Sequence, residues 1–83
     1  MESHYPINVK PLPNHQLFLT FDNGESRLFD LRPYLTISFF APLQKPDVFQ
    51  SVRISPISVE WDGGIDICPD ELYYNSIPAG ESP

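Results

Sequence analysis

Five carboxylates, Glu60, Asp62, Asp66, Asp70 and Glu71, fall inside twelve positions. Oxygen ligands of this kind suit hard cations such as calcium and magnesium. One reading is therefore a divalent-cation site on Asp62, Asp66 and Asp70, serving a small hydrolase or a ligand-binding domain. The spacing does not follow an EF-hand loop, and ordinary roles compete for each acid. Asp62 beside Gly63 suits a turn, Asp70 and Glu71 suit the start of a helix, and Glu60 suits a solvent face. Asp66, between Ile65 and Ile67, either faces solvent by alternation or turns inward to accept hydrogen bonds from backbone groups of the following turn. The hydrogen-bonding role is expected, with no metal and no cofactor.

Nucleophilic catalysis would need Cys68 or a serine beside a histidine that a third group orients. Only His4 and His15 are available, both near the amino terminus. No catalytic residue is expected, and Cys68, between Ile67 and Pro69, reads as a small buried hydrophobe. The five basic residues, Lys10, Arg27, Arg32, Lys45 and Arg53, are scattered against 11 acids. A net charge of −6 with no basic stripe disfavours direct nucleic-acid binding. Gly63-Gly64 lacks the lysine and long helix of a phosphate-binding loop.

The elements that would position these groups are short. A chain of 83 residues has room for one thin core. At 41% hydrophobic and 13% aromatic it is too apolar for a disordered tail. Ten prolines, well above the average of about 5%, interrupt any long helix. A single cysteine rules out an internal disulfide and fits a reducing cytoplasm. No apolar run is long enough to span a membrane, and Met1-Glu2-Ser3-His4 has no export signal.

Asp22-Asn23-Gly24-Glu25 lies between two alternating runs, and Asn-Gly suits a type I′ hairpin turn. A two-residue loop at Asn23 and Gly24 sets Leu19 opposite Leu28, Phe18 opposite Phe29 and Leu17 opposite Asp30. One face then carries Leu17, Leu19, Phe21 and Leu28, and the other Phe18, Phe29 and Leu31. Two greasy faces imply a cover on the second. Upstream, Ile7 and Val9 alternate in an edge strand bracketed by Pro6 and Pro11. Downstream come a helical turn near Pro33, an apolar patch at Phe39 and Phe40, and a helical turn starting at Pro46. A second hairpin follows, with Ile57, Val59 and Trp61 inward and Ser58 and Glu60 outward. Pro69-Asp70-Glu71 starts a short C-terminal helix. The expected fold class is α+β: a small twisted antiparallel sheet of about five short strands, with helical turns and one short helix. It forms a single domain over residues 1–77, with a flexible tail over 78–83.

Phe21-Asp22-Asn23-Gly24-Glu25, Leu28-Phe29-Asp30-Leu31 with Tyr34-Leu35, and Phe49 before Val52 form an ordered series. It ends in Trp61-Asp62-Gly63-Gly64-Ile65-Asp66-Ile67 with Pro69-Asp70-Glu71-Leu72-Tyr73. The series resembles the bacterial domain-of-unknown-function 2442 family, over most of the chain. The resemblance implies a small cytoplasmic prokaryotic α+β domain of uncharacterised function. Some relatives carry a following helix-turn-helix domain and some sit beside toxin–antitoxin-like proteins, but it transfers no DNA-binding or catalytic role here. Asn23, Gly24, Asp30, Trp61, Gly63, Asp66, Pro69, Leu72 and Tyr73 are its motif positions, and their expected roles are architectural: an apolar anchor at Trp61, a tight reversal at Gly63, and a helix folded back through Leu72 and Tyr73.

The expected function is a non-enzymatic protein-interaction module, with Phe18, Phe29, Leu31, Phe39 and Phe40 as the interaction residues. Its acidity favours a basic protein partner, as for an antitoxin-like adaptor, the alternative being a second copy of itself.

Overall fold

Phe21 and Glu25 close the first hairpin: the Gly24 N–H donates to the Phe21 carbonyl and the Phe21 N–H to the Glu25 carbonyl, each at 2.9 Å. The computed structural model, which describes residues 4–79, therefore has a three-residue loop, Asp22-Asn23-Gly24. Gly24 holds φ +88°, while Asn23 is not in the left-handed region, so the turn is not type I′. The register shifts by one residue from the sequence expectation, pairing Leu17 with Phe29, Phe18 with Leu28 and Leu19 with Arg27.

This shift exchanges the faces of the second strand. Phe29 and Leu31 are fully buried on the side of Leu17, Leu19 and Phe21, which corrects their assignment as interaction residues. Leu28 moves to the opposite face. Burying a side chain of this size stabilises by about 1.5–3 kcal/mol, so Phe29 and Leu31 together outweigh the loss of Leu28 from the core.

The strands are β1 (Pro6–Leu12), β2 (Gln16–Phe21), β3 (Ser26–Asp30), β4 (Arg53–Ile54), β5 (Val59–Trp61), β6 (Ile65–Ile67) and β7 (Ile77–Pro78). They form two antiparallel sheets, ordered β1-β2-β3-β7 and β4-β5-β6, with β4 beside β1. The α+β class holds, with seven strands in two sheets rather than about five in one. The helices are α1 (Pro46–Gln50) and α2 (Pro69–Tyr74), both opened by proline. Short 3₁₀ turns cover Pro13–His15, Arg32–Tyr34 and Ser38–Gln44. The core lies between the sheets, where Leu43, Phe49, Val59, Trp61, Ile65, Ile67 and Leu72 meet the buried face of β2 and β3.

Three further expectations change. At the β4–β5 connection, Ile57 is exposed and Ser58 buried, the reverse of the expected alternation. The Ser55 N–H donates to the Ser58 carbonyl, and Ser55 Oγ accepts from the Ser58 N–H, so the strand starts only at Val59. Cys68 is exposed, because it sits in extended backbone just before α2 rather than in the core. Pro78 pairs with Arg27 in β7 and the Ala79 N–H donates to the Ser26 carbonyl, so the chain is still held in the sheet where the tail was expected to begin. The rest of that tail, residues 80–83, and the start at residues 1–3 lie outside the described residues.

Candidate functional site

The turns after β3 build one wall of a cleft. Asp30 starts them: its carboxylate accepts from the Arg32 N–H at 3.0 Å and from Arg32 Nη2 at 2.8 Å. The Arg32 guanidinium thereby holds the Asp30 carboxyl below its usual range. Successive bonds from Tyr34 N–H to the Leu31 carbonyl, Ile37 to Tyr34 and Phe40 to Ile37, at 2.9–3.0 Å, wind this segment tightly. Rings then stack outward from the core: Phe29 to Tyr34 at 5.3 Å, Tyr34 to Phe40 at 5.7 Å and Phe40 to Phe39 at 5.0 Å.

The opposite wall is β6 and α2. Tyr34, Ile37 and Phe40 face Asp66, Ile67, Cys68 and Glu71 across an open cleft of about 300 Å³. The walls are tied where Tyr34 Oη donates to Glu71 Oε2 at 2.5 Å, and Asn75 Nδ2 donates to the same oxygen at 3.0 Å. Burial, then the bond to the Glu71 carboxylate, pushes the Tyr34 hydroxyl up to about 12. Tyr34 therefore keeps its proton and acts as a fixed donor. A second cleft of about 280 Å³ lies on the far side of Ile67 and Cys68, lined also by Ser55, Ile57, Ser58 and Pro69. Ser58 is 3% exposed, and its Oγ has no hydrogen-bond partner among the described residues.

Of the expected interaction residues, Phe39 is half exposed and Phe40 lines the first cleft. Phe18 is half-buried on the outer face of the larger sheet, in a row with Lys10, Leu28 and Ile77, away from the cleft. Ile37 carries no signal in the sequence, and Glu71, read there as a helix-start acid, and Tyr34, read as part of the family series, are not linked there as a pair. Tyr34 and Glu71 stand 37 positions apart, and no local pattern links them.

The acids do not converge. Asp62 accepts from Arg53 Nη1 at 2.7 Å and Glu60 from Arg53 Nε at 3.1 Å. Asp66 is exposed between buried Ile65 and Ile67 and makes no hydrogen bond to the following turn, so strand alternation decides its direction and corrects the expected role. Among the described residues no group of three or more His, Cys, Asp or Glu could hold a metal ion. His4 lies 3.7 Å from Asp22, and His15 packs on Phe49 at 5.0 Å; neither lines the cleft.

The motif positions around the first hairpin form one network. Asn23 Oδ1 accepts from the Glu25 N–H at 3.0 Å, and Asn23 Nδ2 donates to Glu25 Oε2 at 2.6 Å. Tyr73 Oη donates to the same carboxylate. That bond, ahead of the one from Asn23, lowers the Glu25 carboxyl; the same bond, ahead of burial, raises the Tyr73 hydroxyl. Trp61 and Leu72 are core residues, Gly63 and Gly64 turn the β5–β6 hairpin at φ +92° and +79°, and Pro69 opens α2.

Two short antiparallel sheets packed together with short helices and 3₁₀ turns, and an apolar cleft left open beside a strand, define a small α+β domain. Residues 6–78 match the model of the family described as "Protein of unknown function (DUF2442)". The chain belongs to that family. No curated protein and no solved structure matches it. Among the described residues no helix is long and apolar enough to cross a membrane.

Proposed function

We propose that this chain is a non-enzymatic protein-interaction module that receives its partner at the cleft between the turns after β3 and the strand β6. One observation carries the reading: Ile37 and Phe39, 47% and 50% exposed, stand with Phe40 beside an apolar concavity. Large side chains left in water at a concave site gain most when another protein covers them. The net charge of −6 favours a basic partner and steers its approach, which suits an antitoxin-like adaptor.

The test is site-specific photo-crosslinking in the native host, with benzoylphenylalanine placed at position 37 or, as a control, at the exposed position 50 of the full chain. The expected result is one discrete adduct from position 37, absent from position 50 and lost with Phe39→Ser. Equal labelling from both positions, or none from 37, overturns the reading, and an adduct of twice the chain's own mass assigns the cleft to a second copy instead.

A further inference from the structure

β6 is the outer strand of its sheet, paired with β5 on one side only. Among the described residues no backbone hydrogen bond outside that sheet, and no side-chain hydrogen bond, engages Ile65, Asp66 or Ile67. The backbone stays extended through Cys68, at φ −62° and ψ 139°, where the carbonyl is taken by the Leu72 N–H at 3.1 Å, so residues 65–67 offer an open edge. Unpaired edges of this kind accept an added strand, main-chain bonds giving affinity and side-chain pockets giving selectivity. Both clefts border this edge and share Asp66, Ile67 and Cys68. An extended segment running along it meets the apolar cleft at Ile37 and Phe40 and the second cleft at Ser55 and Ile57.

Charge selects the occupant. Arg27, Arg32 and Arg53 are each paired to carboxylates of their own sheet region, whereas Asp66 and Asp70 make no ion pair among the described residues. Glu71 is held by the neutral donors Tyr34 and Asn75. The edge is thus bordered by acids with no cation set against them. A second copy, carrying the same surplus of negative charge, is repelled there, and a basic chain is attracted.

We propose that the edge of β6 takes up an extended basic segment of a partner protein as an added strand, its cationic side chains set against Asp66, Asp70 and Glu71 and its apolar ones in the cleft at Ile37 and Phe40. This rests on the interaction-module reading and adds the mode of binding and the partner's chemistry.

The experiment titrates the isotope-labelled full chain with a synthetic peptide of alternating arginine and valine, followed by amide NMR. Controls are the same peptide with glutamate for arginine, and with its central valine replaced by proline. The arginine peptide is expected to shift the amides of residues 65–67 and slow their hydrogen exchange, with both controls weaker by about tenfold or more. The double variant Asp66→Lys, Asp70→Lys is expected to weaken binding by a similar factor while keeping its thermal transition, because both side chains are exposed. Unshifted amides at 65–67, or equal binding of the glutamate peptide, overturns the inference. If the position-37 adduct forms while the arginine peptide leaves β6 unchanged, the interaction-module reading survives and strand addition falls.

Discussion

Arg27 lies 4.6 Å from the centre of the Tyr73 ring, on which it rests while its fork reaches past the ring to Ser76. Arg27 Nε donates to Ser76 Oγ at 2.6 Å, Nη2 to the Ser76 carbonyl at 2.8 Å and Nη1 to Glu25 Oε1 at 2.8 Å. One side chain thus ties β3 to the exit of α2 and to the first hairpin loop. Phe21 meets the other side of the arrangement, edge-on to Tyr73 at 5.0 Å.

Arg27→Ala is expected to destabilise the domain by roughly 2–3 kcal/mol, since it removes hydrogen bonds from a charged donor that is mostly buried. Arg27→Lys is expected to recover less than half of this, because an ammonium cannot span Ser76 and Glu25 as a planar fork does. Urea denaturation followed by the emission of Trp61, the only tryptophan, measures both.

Stability should be bounded by acid on one side and alkali on the other. Glu25 and Asp30 are lowered from 4.5 and 3.8 in the folded chain. Their contribution is therefore present above those values and is lost as pH falls through the lower folded ones. Tyr34 is raised from 10.0 to about 12, so its contribution is full below 10 and is lost as pH rises through 12. Thermal midpoints across pH should show a plateau between these limits, with Glu25→Gln flattening the acid side and Tyr34→Phe the alkaline side.

The three-residue loop sets the register, so its length matters more than its composition. Gly24→Ala is expected to cost about 1–2 kcal/mol from the backbone alone, since a Cβ there meets nothing within 4 Å. Deleting Asn23 shortens the loop to two residues and turns Phe29 and Leu31 outward. At about 1.5–3 kcal/mol each, that loss rivals the whole stability of a small domain, and no cooperative thermal transition is expected.

Cys68 should react with a thiol reagent in the native state at nearly the rate seen after unfolding, because it is exposed. Bordering both clefts, it should also block the position-37 crosslink once it carries a bulky maleimide, while the far-ultraviolet circular dichroism stays unchanged.

Much of the fold was legible in the sequence where the signal is local. The Asn-Gly reversal, the proline that opens α2, the glycine pair after Trp61 and the alternation of Val59 with Trp61 all stand in the structure. Register was not legible, because Leu28 and Phe29 are both apolar and either can face inward; the choice lay in whether Asp22 joins the loop. Ser58 was misplaced because the turn after Ile54 holds two more residues than Ser55-Pro56 suggests. Phe39 and Phe40 could be picked out as a patch needing cover, but the cleft they border could not. It is made by Tyr34 with Glu71, and the domain is locked by Arg27 with Ser76, pairs 37 and 49 positions apart, for which no spacing rule exists.

The neighbour of β3 in the larger sheet is β7, so the entire smaller sheet and both helices are spliced between two adjacent strands. Joining Arg27 to Ser76 across 49 positions carries a closure entropy of about 3.5 kcal/mol, repaid by only two paired residues and the Arg27 fork. During synthesis the outer flank of β3 consequently stays unpaired until Ile77 and Pro78 have left the ribosome.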